Sequence, residues 1–171
     1  IGSGLVGSEM CIRDRMYSYY DLNDYNDYQM RAQSQVTNDF GPNPFVIDIE
    51  KATMNNDYFR VALWTGSHLQ LTVMSIPVGE DIGLERHPEV DQFLRIEDGI
   101  GVAMMGDKKD NLYFQQPVFD GSAIFIPAGM WHNVVNTGNK PLKLYSIYAP
   151  ADHPWGTVHP TKADAQAQEH H

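Results

Sequence analysis

The chain has 171 residues and a formal charge of −10, from 22 acidic and 12 basic side chains. That length suits one domain with a core of its own, and the charge disfavours nucleic acid or an anionic membrane surface as partner, since both would repel it. No apolar run approaches the length of a membrane span. The single cysteine, Cys11, excludes a disulfide framework or a thiolate metal site and suits a reducing cytoplasm.

Val6-Gly-Ser-Glu-Met-Cys-Ile-Arg-Asp-Arg15 resembles translated library-adaptor sequence and has no apolar h-region, so it is not a secretory signal. Residues 1–15 are therefore set aside as a non-native leader, with the expected start at Met16. Residues 16–43 are rich in Tyr, Asp, Asn and Gln and poor in aliphatics. They read as a loosely held N-terminal arm, or as one that packs on a neighbouring subunit. Gly41-Pro-Asn-Pro44 punctuates, Phe45-Val-Ile-Asp-Ile-Glu50 alternates like a strand, and Lys51 to Asp57 has room for one helical turn.

From Phe59 onward the pattern is β throughout. Expected strands are Phe59 to Thr65, His68 to Ile76, Ile82 to His87, Gln92 to Glu97, Ile100 to Met105, Leu112 to Phe119, Ala123 to Ile126, His132 to Asn136 and Leu142 to Tyr148. Asp98-Gly99 marks a tight turn, and Gly106 to Asn111 is a charged hairpin tip. About ten short strands at this spacing, with no helix of normal length among them, predict an all-β sandwich or barrel. After Pro150 comes a His153-Pro-Trp-Gly-Thr-Val-His159 loop, and Thr161 is placed to cap a short Ala/Gln helix within 151–171.

Two stretches carry metal-capable side chains. On a strand Glu85 and His87 point to the same side, roughly 7 Å apart at the backbone, and the turn at Pro88 returns Gln92 beside them. His132 follows a Pro127-x-Gly129 turn that fixes its direction at the start of a strand. An imidazole from each hairpin and one carboxylate form a set for a divalent transition ion, with Gln92 as a weaker oxygen ligand or a residue orienting bound water. Asp91 is the alternative to Gln92 if the turn is one residue shorter. Taken singly, each side chain has an ordinary structural role; taken jointly, with turn residues around both hairpins, they favour a site.

The same stretches resemble the paired motifs of the cupin superfamily, Gly-x5-His-x-His-x(3–4)-Glu-x6-Gly and Gly-x5-Pro-x-Gly-x2-His-x3-Asn. The second is matched at every fixed position by Gly121, Pro127, Gly129, His132 and Asn136. The first is matched by Gly79, His87 and Gly99, with Glu85 where the first His is usual and Gln92 where Glu is usual. The motifs span about a third of the chain. The resemblance implies a single jelly-roll barrel over residues 44–150, expected as a cytoplasmic homodimer, holding Fe, Mn, Ni or Zn through Glu85, His87, His132 and Gln92. The usual shell and this one each carry one negative charge, moved here to a different corner.

Glu85 and His132 are the candidate catalytic residues, acting on a small polar substrate. Similarity to small mannose-6-phosphate-isomerase-like cupins makes sugar or sugar-phosphate isomerisation the first expectation, a metal-dependent dioxygenase the second, and a ligand sensor the third. Other residues are weighed more plainly. Met74, Met104, Met105, Phe93, Trp64 and Tyr145 fit core filling or a cavity lining, and Arg86 and Arg95 fit the surface. His153 and His159 could lid the barrel mouth and donate a proton, but packing outside or at a dimer contact is the favoured reading. His170 and His171 fit a terminal remnant.

Overall fold

The computed structural model describes residues 37–169. The expectations for the leader, for most of the N-terminal arm and for His170 and His171 lie outside the described residues. Within them the chain forms helix α1 (Ile49–Asn55), strands β1 (Arg60–Thr65), β2 (Gln70–Ile76), β3 (Asp91–Asp98), β4 (Ile100–Gly106), β5 (Phe114–Phe119), β6 (Ala123–Ile126), β7 (Trp131–Asn136), β8 (Leu142–Ala149) and β9 (Val158–His159), and helix α2 (Lys162–Glu169). A six-stranded sheet in the order β6-β3-β8-β2-β1-β9 faces a three-stranded sheet in the order β5-β4-β7, and every pairing is antiparallel. This is the all-β architecture expected from strand spacing, in the jelly-roll form that the motif resemblance implied.

Alternation along the strands decides what lies between the sheets. Met74, Ile76, Leu94, Ile96, Leu142 and Leu144 from the large sheet meet Ala103, Met105, Val118 and Val134 from the small one in a single cluster. Phe93, Phe125 and Tyr145 take the opposite faces, where the Phe93 ring meets Phe125 edge-on at 5.1 Å and Tyr145 at a tilt at 6.1 Å. Met74 and Met105 are therefore core filling, and Phe93 and Tyr145 belong to the outer face.

Two expected strands are not formed. Phe45 to Asp48 is irregular instead, and Ile49 and Glu50 open α1, whose first turn is capped by Asp48 accepting from the Lys51 N–H at 3.0 Å. A strand there would need a free sheet edge. That edge of β1 is taken by β9, with Arg60 opposite His159 and Val61 opposite Val158, and by the Phe40 N–H on the Leu63 carbonyl. α1 packs its Ala52 against Val61, Leu63 and Val73 on the outer face. Ile82 to His87 is an irregular stretch rather than a strand, because Gly83 takes a φ of 99° that breaks the pleat. It still follows β7 through bridges at Asp81–Val135 and Glu85–His132.

Both ends of the described chain are tied to the sheet. Asp39 accepts from the N–H groups of Gly41, Thr65 and Gly156 and from the Thr65 hydroxyl. Thr161 opens α2 through a reciprocal box with Asp164, as expected of a capping threonine, and Ala165 of that helix reaches the main core. Truncating Leu94, which has no exposed surface, to Ala should cost about 2–5 kcal/mol. Val46→Ala, at 68% exposure, should stay within about 0.5 kcal/mol. Urea denaturation of both variants measures the difference.

Candidate metal centre

The two motif stretches are laced together along their length. The Glu85 and His132 backbones exchange hydrogen bonds of 3.0 Å in both directions, the Gly129 N–H donates to the His87 carbonyl at 2.7 Å, and Gly79 and Ile82 donate to Asn136 and Val134. The Ala128 N–H donates to Asp91 Oδ1 at 2.8 Å, which commits that carboxylate to the turn. Gln92 pairs with Ile126 and Tyr148 across β3 and is buried, so the inward residue is Gln92.

One ring nitrogen of each histidine and one oxygen of Glu85 lie within 4.8 Å of one another. His87 Nε2 is 3.4 Å and His132 Nε2 3.8 Å from Glu85 Oε2, with the imidazole centroids 5.3 Å apart. These three atoms are buried and make no hydrogen bond. The other atom of each group is engaged elsewhere. Arg60 Nη2 donates to Glu85 Oε1 at 2.7 Å, His87 Nδ1 is 3.1 Å from Asp152 Oδ1, and His132 Nδ1–H donates to the Met130 carbonyl at 3.0 Å. Gln92 follows the same plan: its Nε2 donates to Ser146 Oγ at 3.0 Å, and its Oε1 is buried without a partner.

Orphaned polar atoms are costly in a packed interior, and three of them converging on one point fit a cation. Charge points the same way. Glu85 and Asp152 set two carboxylates against the Arg60 guanidinium, which leaves one uncompensated negative charge. Burial would push the Glu85 carboxyl up, but the Arg60 charge and then the His87 ring hold it at about 2. Burial would lower His87, yet Asp152 and then Glu85 raise it to about 9. Burial keeps His132 low, only partly opposed by the Met130 carbonyl. The centre thus pulls a proton onto His87 where a divalent ion would neutralise the same field.

The loop after β8 covers this place, which corrects the expectation that it packs outside. Asp152, His153, Pro154 and His159 border a cavity of about 430 Å³ together with Glu85 and His87. The His153 ring meets Tyr148 edge-on at 4.9 Å. Burial, helped by the Arg60 charge, lowers His153 to about 3, so it stays neutral. His159 is fixed at β9 and pairs with Gln168 of α2. Arg86 is as expected on the surface, its Nε donating to the Gly129 carbonyl, and Arg95 pairs with Glu97.

Sequence reasoning missed Arg60 and Asp152. Arg60 had a visible signal, a lone cation in the apolar run Phe59-Arg-Val-Ala-Leu63, since a buried charge requires a partner. Asp152 had none, because its role depends on where an irregular loop folds back.

Residues 72–148 match the model of the cupin domain. The uncharacterized protein YrkC of Bacillus subtilis (strain 168) is 66% identical over 131 residues, covering 77% of this chain and 70% of that protein. The uncharacterized protein L612 of Acanthamoeba polyphaga mimivirus is 43% identical over 115 residues, or 67% of this chain and 70% of that protein. The crystal structure of BH2720 from Bacillus halodurans is similar at a TM-score of 0.75 and 67% identity, over 76% of this chain and 98% of that one.

The raised His87 gives a pH signature in metal-free protein. A group whose folded pKa lies above its unfolded value stabilises the fold fully below pH 6.5, and that contribution is lost as pH rises through about 9. Thermal melts should show the loss between those limits in the wild type and its absence in His87→Asn.

Proposed function

Because the chain belongs to the cupin family, we propose that it is a metal-dependent enzyme acting on a small polar metabolite, with dioxygen chemistry as its reaction class. Glu85, His87 and His132 are the proposed ligands, with Gln92 as a fourth, weaker donor. The observation that carries this reading is the convergence of a ligand atom from each of Glu85, His87 and His132 within 4.8 Å, with both Nε2 atoms 3.4 and 3.8 Å from Glu85 Oε2. Two imidazoles and one carboxylate with further positions open is the donor set of non-haem Fe(II) oxygenases.

A bound ion would supply Lewis acidity and redox reach at these donors. The chain's own groups do the rest. Arg60 occupies Glu85 Oε1, so the carboxylate stays ionised and offers Oε2 alone. Asp152 engages His87 Nδ1 and thereby reserves Nε2. Tyr148, pushed up to about 12 by burial, keeps its proton. A cavity of about 430 Å³ falls in the range for small molecules.

Sugar-phosphate isomerisation has less support. It needs a phosphate clamp, and of the two arginines by the site Arg60 pairs with Glu85 while Arg86 has its Nε on the Gly129 carbonyl. A cytoplasmic homodimer belongs to the same proposal. The aromatic side chains exposed on β5 and β6, Phe119 and Phe125, support self-association, and light scattering measures it.

Anaerobic reconstitution with Fe(II), Mn(II), Ni(II) or Zn(II), followed by oxygen uptake with a panel of vicinal diols and diketones, tests the reading. The wild type should bind one ion per chain, and His132→Ala should lose that binding while its metal-free form stays folded. Oxygen should be consumed by the Fe(II) protein alone. Binding of panel compounds without oxygen uptake would leave a sensor in place of an oxygenase, and a wild type that takes up no ion would remove the metal reading altogether.

A further inference from the structure

Gln70 opens β2 and is fully buried, an unusual place for a primary amide with two donors and two acceptor positions to satisfy. All four are used. Nε2 donates to Thr65 Oγ1 at 2.9 Å and to the His153 carbonyl at 2.8 Å. Oε1 accepts from the His153 N–H at 2.9 Å and from the Asp152 N–H at 3.3 Å. Three of these bonds go to the backbone of the two residues that bring a carboxylate and an imidazole over the metal centre.

The clamp continues away from the site. Thr65 Oγ1 accepts from Gln70 while donating to Asp39 Oδ2 at 2.6 Å, and the same Asp39 oxygen accepts from the Gly156 N–H at 3.0 Å. The loop is thus gripped near both ends by one chain of hydrogen bonds, whose members polarise one another. Other ties hold the loop further along, the Trp155 Nε1–H on the Gly41 carbonyl at 3.0 Å and the Ala62 N–H on the Thr157 carbonyl at 2.8 Å, while the bonds from Gln70 fix the backbone of Asp152 and His153 themselves. Asp152 can fix one orientation of the His87 ring only if its own backbone is fixed.

We infer that Gln70 is a positioning residue for the metal centre. It sets the Asp152 and His153 backbone so that Asp152 Oδ1 holds His87 Nδ1, 3.1 Å away, and leaves Nε2 facing Glu85 and His132. The inference rests on the metal reading above, and it extends that reading to a side chain that touches neither the ligands nor the cavity.

The test is a double-mutant cycle on metal affinity, measured by competition with a chromophoric chelator using Zn(II) and Co(II). Gln70→Leu and Asp152→Ala should each weaken binding about 10–100-fold. The double variant should be no weaker than Asp152→Ala, because the first change acts only through the second residue. Backbone amide exchange at residues 152 and 153 should quicken in metal-free Gln70→Leu. Gln70→Glu, which keeps the two acceptors but sets an oxygen against the His153 carbonyl, should fall between wild type and Gln70→Leu and serves if the leucine variant does not fold. Faster exchange with unchanged affinity would overturn the inference by reducing Gln70 to a loop staple. Losses that add in the double variant would overturn it too. A wild type that binds neither ion would bring down the metal reading itself, an outcome distinct from both.

Discussion

The centre depends on a division of labour inside each side chain. Glu85, His87, His132 and Gln92 all offer two polar atoms, and each has one of them satisfied by a fixed neighbour: Arg60, Asp152, the Met130 carbonyl and Ser146. The remaining atoms are left buried and without partners. Engaging the outer atom sets the ring or carboxylate plane, so the inner atom is aimed before any ligand arrives. That arrangement is pre-organisation in a literal sense, because little side-chain freedom is left to lose on binding.

Such a site is expensive for a barrel interior. Ionised and imidazole groups at about a tenth exposure or less lose much of their hydration, and the protein offsets this by pairing. Arg60 is the main offset. Its guanidinium comes from β1, two strands away from β8 in the sheet order, and meets Glu85 from the side opposite the histidines' shared point. Asp152 then restores the negative balance, and with Glu85 it raises His87 to about 9.

The geometry is delivered by lacing the two hairpins, and two glycines make that possible. Gly83 turns the first stretch off regular pleating, so Glu85 enters at an angle that an ideal strand would not give. Gly129, at a φ of 81°, lets the turn before His132 bring its N–H onto the His87 carbonyl. Neither conformation is easy for a residue with a Cβ. The apolar layer beneath, from Ile76 through Leu144, is independent of these polar groups and carries the fold.

By itself the sequence determined the period-two alternation that makes the sheets, the turn residues that separate the strands, and the spacing that brings Glu85, His87, Gln92 and His132 inward. All of these are local properties, written within a few residues of where they act. Tertiary structure alone decided the rest. Phe45 to Glu50 alternates like a strand but finds its edge already taken by β9, and edge occupancy is not a local property. Arg60, Asp152 and Gln70 act on residues 25, 65 and 83 positions away respectively, through a buried ion pair and a loop that folds back. Burial sets how strongly those charges are felt, and burial exists only once both sheets have closed.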